Sequence, residues 1–392
     1  MASLIREACE KSEEINRVTH QISGRTFSRI GDWIESFTLS GALLYEIERL
    51  GYRLWTTIYG QKIFIHPRGC FPALRVFPGP VQVVRGITLK VESLSVFRHL
   101  GGFYGELDGT PGSGYSRLLI SDSGGTLLFA AEKNADMWMP EEIDSSGVQD
   151  IMEARELMLK RRRAFDRGED GWKYTERIIN RVIGLVGRDR CASMFLDSER
   201  RLWEVCCPAA MALKSLHDRL GLGWGNHDHH VFRSSRKNFH HMTAILELMG
   251  FGRRERFMRG TDGDGWGAQA LEQPSIGAVA LVEIDARKDE MNEETMASEL
   301  DELKTPGAVG KWVAERGESI FSGYMHRLAL RYDYDELRRD IPALGLEISE
   351  PYAGANSVRQ ALVQCGLPGA GTSAFLLECV ERNRGCKGLS AS

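Results

Sequence analysis

Long apolar runs are missing from this 392-residue chain. Nothing in it reaches 18 consecutive apolar residues, so no segment is expected to span a membrane as a helix. The start, Met1-Ala2-Ser3-Leu4-Ile5-Arg6-Glu7, lacks the apolar core of a secretory signal, and a cytoplasmic location is expected. An excess of charge of one sign is missing too. A net charge of −4 with both signs interspersed gives no electrostatic case for nucleic acid. The one dense basic cluster, Lys160-Arg161-Arg162-Arg163, is expected on a solvated helix face. The cysteines follow no framework spacing and include no Cys-x-x-Cys pair, so reduced thiols are the simplest account. There is no Gly-x-Ser-x-Gly elbow. The glycine-rich stretches 221–225 and 366–372 lack both the Walker lysine and a dinucleotide-binding context, and they read as turns.

What is present is a pattern written twice. His229-His230-Val231-Phe232-Arg233 opens a β-like run, a helix-like segment follows, and Glu283 closes the strand Val279-Ala280-Leu281-Val282-Glu283-Ile284. The same grammar returns from His326-Arg327-Leu328-Ala329-Leu330-Arg331 to Phe375-Leu376-Leu377-Glu378-Cys379-Val380. The His-to-Glu intervals are 54 and 52 residues. Segments 226–285 and 324–384 each fit a βαβββ unit, and 84–134 fits a third with one strand left open. The expected fold is therefore α+β, with repeated βαβββ modules forming curled mixed sheets and a helical insertion. Three regions are expected: an N-terminal metal-free βαβββ domain (1–139), a helical connector or cap (140–222) and a C-terminal catalytic domain (223–392).

Side chains alternate across a strand, so a histidine on the first strand and a carboxylate on the last can share one concavity. Within the histidine-rich run, His227 and His229 share a face while His230 points away. Glu378, on an otherwise apolar strand, would be costly to bury without a partner. Two imidazoles and a carboxylate with open positions suit Fe(II) binding O₂ and substrate together. Four protein ligands, with Glu283 added, suit Zn or Ni instead.

The segments 313–330, 361–364 and 375–382 resemble the vicinal oxygen chelate superfamily. Within it they are most similar to 4-hydroxyphenylpyruvate dioxygenases and type I extradiol dioxygenases. The resemblance implies an Fe(II) held by His229, His326 and Glu378, with a 2-oxo acid or catechol-like substrate and O₂ as partners. A homo-oligomer is compatible with it. Gln364 and Arg331 are the first candidates to anchor substrate, and Gln269 is the corresponding glutamine of the preceding module. Phe232 is expected to flank the organic part. Glu283 is a fourth ligand, an acceptor that orients a histidine, or a rim carboxylate paired with Arg287. Arg331 follows His326 by five residues whereas Arg233 follows His229 by four, leaving the phase of the second strand open by one residue. In the 84–134 unit, Gly86 and Phe129 fall at the ligand positions, so that module is expected to be metal-free. The competing functions are a glyoxalase-like lyase, isomerase or hydrolase on Zn or Ni, and a metal-free small-molecule binder.

Overall fold

A computed structural model describes residues 2–328 except 27–29, 42–43, 59, 68, 80–82, 111–115, 124, 133–144, 207–213, 216, 226–227, 260–265, 291, 293–297 and 323–326. The described residues divide into two compact units. The first draws on Met1–Glu142 and Ala212–His227, the second on Ile143–Met211 and Asp228–Ala329.

In the first unit, helices α1 (Ala2–Lys11) and α2 (Glu13–Thr26) precede two complete βαβββ modules. One is β1 (Ile34–Ser40), α3 (Leu44–Arg49), β2 (Arg53–Ile58), β3 (Gln61–Ile65) and β4 (Ala73–Phe77). The other is β5 (Val83–Val91), α4 (Leu94–Gly101), β6 (Glu106–Gly109), β7 (Ser116–Ser123) and β8 (Thr126–Glu132). Each module runs first strand, fourth, third, second across the sheet, with the first and fourth strands parallel. The modules join through an antiparallel β1–β5 ladder that sets Phe37 opposite Ile87. Local signals place the helices. The Ser93 side chain accepts the Val96 N–H at the start of α4, Gly102 ends it in the left-handed region, and Leu94 and Phe97 turn inward. The first module lies where the sequence shows a helix and β-like runs but no first or fourth strand.

The second unit repeats the plan. Its elements are β9 (Asp228–Arg233), α7 (Phe239–Leu248), β10 (Gly252–Arg259), β11 (Trp266–Gln273) and β12 (Ala278–Asp285), with β9 and β12 parallel. The short strand β13 (Arg327–Leu328) pairs antiparallel with β9, as β5 does with β1. The rest of segment 324–384 lies outside the described residues. Helices α5 (Ser145–Leu159) and α6 (Gly168–Cys206, broken at Gly187) bury Ala154, Met158, Ile179, Val182 and Phe195 in one core with α7 and one face of β12. Among the described residues, two mixed sheets of eight and five strands result, and neither is found to curl. Among these residues, their orders run from edge to edge, β2 to β6 and β10 to β13.

The basic run after α5 departs from expectation. Arg161 is fully buried: it donates to Glu199 Oε1 at 2.9 Å and to the Ile320 carbonyl at 2.8 Å. Arg163 closes on the other side of Glu199, and burial pushes the Arg161 guanidinium down to about 10 while Glu199 opposes the shift. Lys160 and Arg162 stay exposed as expected; the helix ends at Leu159, and the chain beyond it carries Arg161 and Arg163 inward.

Candidate metal-binding face

Strand β9 decides which side chains share a face. Phe232 lies opposite Val282 on β12, which lies opposite Gln269 on β11; Phe232 and Val282 belong to the helix-packed core, and this row lies on that side. Phe232 stacks on Phe195 at 6.1 Å, so it is a core residue and does not flank the opposite face. Gln269 is buried on the same side and donates from Nε2 to the Ala270 carbonyl at 2.8 Å. His230, two positions before Phe232, is on the helix side as well, and it is fully buried.

The other face carries positions 229, 231 and 233. His229 is opposite Val279, Val231 opposite Leu281, and Arg233 opposite Glu283. The alternation expected within the histidine run therefore holds for 229 and 230. Glu283 is buried and accepts from Arg233 Nε at 2.8 Å, so its described partner is Arg233 and not Arg287, which pairs with Glu290 at 2.6 Å. Four strand positions, about 13 Å, separate the Glu283 row from the His229 row.

This end of the face is built by the linker. Asp285 accepts three backbone N–H groups, from Gly307, Val309 and Gly310 at 2.7–3.0 Å, and so caps helix α8 (Ala308–Arg316). A Cβ at Gly307 or Gly310 would come within 2.6 or 2.5 Å of that carboxylate, which is why glycine stands at both. Trp312 of α8 lies 5.6 Å from the Arg233 guanidinium, and Arg316 stacks on the same indole at 4.3 Å. In the short helix α9 (Ser319–Ser322), the Ser319 hydroxyl accepts the Arg233 N–H at 2.5 Å and donates to the Arg233 carbonyl at 2.9 Å. Glu318 gathers Ser234, Ser235 and Asn238 at 2.6–3.2 Å and fixes the turn from β9 into α7.

Of the residues singled out from sequence, Glu283, Gln269 and Phe232 are described with their side chains, and His229 by its place in the ladder. His326, Arg331, Gln364 and Glu378 lie outside the described residues. Among the described residues, no group of three His, Cys, Asp or Glu is set to hold a metal. Arg233 and Asp285 were not singled out; the signal for Arg233 was its even spacing from His229 on an apolar strand. In the 84–134 unit, a Cβ on Gly86 would meet the Leu127 carbonyl at 2.6 Å, and the Phe129 ring faces the Arg117 guanidinium at 3.3 Å.

No family model matches the chain, and no curated protein matches it. Solved structures give slight likenesses. A halotolerant catechol dioxygenase is 10% identical over 64% of this chain and 65% of its own, with a TM-score of 0.21. A variant of homoprotocatechuate 2,3-dioxygenase from B. fuscum is 12% identical over 64% of this chain and 52% of its own, at 0.20. A mutant 4-hydroxymandelate synthase from Streptomyces coelicolor is 8% identical over 73% and 68%, at 0.21. The chain thus spans less than two thirds of the length of the first two. Scores this low carry no argument about fold or activity.

Proposed function

We propose that the chain is a non-haem Fe(II) dioxygenase of the vicinal oxygen chelate type, acting on a small bidentate substrate. His229, His326 and Glu378 would hold the iron. The observation that carries this is the β9–β13 ladder: a strand beginning just after position 326 pairs with the strand bearing His229, on the pattern by which two whole modules join in the first unit. The donor set suits Fe(II), since two imidazoles and one carboxylate leave room for other ligands. When bound, the ion supplies adjacent positions for O₂ and for a chelating substrate. The protein's own share is orientation and exclusion of water. The face that carries position 229 is lined by Val231, Val279 and Ala270, all buried, and Gln364 and Arg331 would bind the substrate's polar groups.

The reading sets one condition on the chain. Arg327 is opposite Val231 and Leu328 opposite His230, so a regular strand would put position 326 on the helix side with 328. Convergence of His326 with His229 therefore needs a one-residue slip before Arg327. The corresponding β1–β5 ladder makes two such shifts, between Ile34 and Ser36 and between Thr38 and Leu39. The engagement of Glu283 by Arg233 supports three ligands over the four of a Zn or Ni lyase.

Anaerobic reconstitution with Fe(II), followed by oxygen-electrode screening against 2-oxo acids and catechols, tests the reaction. Oxygen uptake with one class is expected. Iron-loaded protein that consumes no oxygen with either class would overturn the dioxygenase reading.

A further inference from the structure

In the first unit, the face of the eight-stranded sheet turned away from the helix-side core is polar at its centre. Phe37 of β1 and Ile87 of β5 pack in that core, so Ser36, Thr38, Thr88 and Lys90 stand on the opposite face. All four are buried, Ser36 and Thr88 completely and Lys90 to 8% exposure. The Ser36 and Thr38 hydroxyls have no hydrogen-bond partner. Two buried hydroxyls with unmade bonds, on one strand face and beside a buried lysine, need a reason that packing alone does not supply.

The surrounding charge is positive. Thr38 lies opposite Arg75 of β4 and Gly86 of β5, and Ser36 lies opposite Thr88. Lys90 lies opposite Ala131 of β8, itself opposite Arg117 of β7. The Arg117 guanidinium crosses the Phe129 ring at 3.3 Å and donates to Thr88 Oγ1 at 3.5 Å, which brings it to the row that carries Ser36. Arg75 donates to Gln61 Oε1 at 3.0 Å, a neutral partner that orients it. The carboxylate opposite Arg117 is Asp108, on the exposed edge strand β6. Gly86 and Ala131 place no long side chain between the rows. Toward β7 the face opens, since Arg117, Leu119, Leu127 and Phe129 are only half-buried.

We propose that this face is an oxyanion-binding site, where the Ser36 and Thr38 hydroxyls, Lys90 and Arg117 receive the phosphate or carboxylate head of a small acid entering from the β7 side. The hydroxyls then donate the bonds they lack, and the two cations make those bonds charge-assisted. The site lies within the first unit and does not depend on the iron reading above.

The test is calorimetry on the whole chain with metal removed, in a chloride buffer free of other oxyanions, against inorganic phosphate, benzoate and neutral benzamide. Phosphate or benzoate should bind with a dissociation constant below about 1 mM, and benzamide should not bind. Which of the two anions binds identifies the head group. Ser36→Ala removes a hydroxyl that makes no bond in the unliganded protein. Its urea midpoint should therefore hold or rise while anion binding weakens about 10-fold. A hydroxyl with only a structural role would show the reverse, a lowered midpoint with binding unchanged. Lys90→Met keeps the apolar stem and removes the charge, and it should also weaken binding by about 10-fold or more. No binding of either anion at about 10 mM, benzamide bound as tightly as benzoate, or full-strength binding in both variants overturns the proposal.

Discussion

His217 is a fully buried imidazole set edge-on to Trp33 and Trp224, with ring centroids 5.1 Å away in each case. Its Nδ1 lies 3.1 Å from the Gly223 carbonyl, which assigns it the donor role. Burial pushes it from the usual 6.5 down to about 4; the Lys214 ammonium adds to that and the Glu92 carboxylate opposes it. A histidine buried neutral takes up its proton more readily when unfolded. Its contribution is therefore whole above pH 6.5 and falls away as pH drops toward 4, by about 3 kcal/mol at most. The urea midpoint read by tryptophan fluorescence should fall between pH 7 and pH 4.5, and His217→Asn should flatten that slope. An equal slope in the variant would show that other groups carry it. The Arg233–Glu283 pair makes a second prediction at this scale. Glu283→Ala leaves a nearly buried guanidinium without its carboxylate and should cost about 3–5 kcal/mol in chemical denaturation. The double variant Arg233→Gln/Glu283→Gln should recover a good part of that loss.

Among the elements, helix α8 depends on its cap. Asp285→Ala strips three backbone N–H groups of their acceptor and should destabilise the unit by about 1–2 kcal/mol, with faster amide exchange confined to the first turn of α8. Helix α6 changes direction at Gly187, whose φ of 79° and ψ of 171° belong to a region that side chains avoid. A Cβ there meets nothing within 4 Å, so Gly187→Ala isolates the backbone cost, about 1–2 kcal/mol by thermal or urea unfolding. Elements were legible in the sequence where hydrophobic period and turn chemistry agreed. Segment 226–285 folds as the expected βαβββ unit: Gly250, with positive φ, follows α7, and glycine and proline flank its strands. Strand β1 was missed for a physical reason. Ser36, Thr38 and Ser40 look like solvent-facing positions but are buried, since the strand lies in the middle of an eight-stranded sheet, which sequence alone does not reveal. Arg161 was misread for the related reason that its burial depends on Glu199, 38 residues away.

At the scale of the whole chain, repetition is the organising fact. Three complete βαβββ modules are described, together with the two-residue strand β13, and the β1–β5 and β9–β13 ladders are both antiparallel. In the reading proposed above, each module offers the same two positions, one on its first strand and one on its last, and function depends on which modules fill them with donors. On the present account only the pair built from 226–285 and 324–384 does so. The measurement that tests this most directly is the iron content of anaerobically reconstituted protein, in the unaltered chain and in His229→Ala, His326→Ala, Glu378→Gln and Glu283→Gln. The account predicts one Fe(II) per chain, lost in the first three variants and kept in Glu283→Gln. Stoichiometric iron that survives removal of His229, His326 or Glu378, or no bound iron in the unaltered chain, would contradict it.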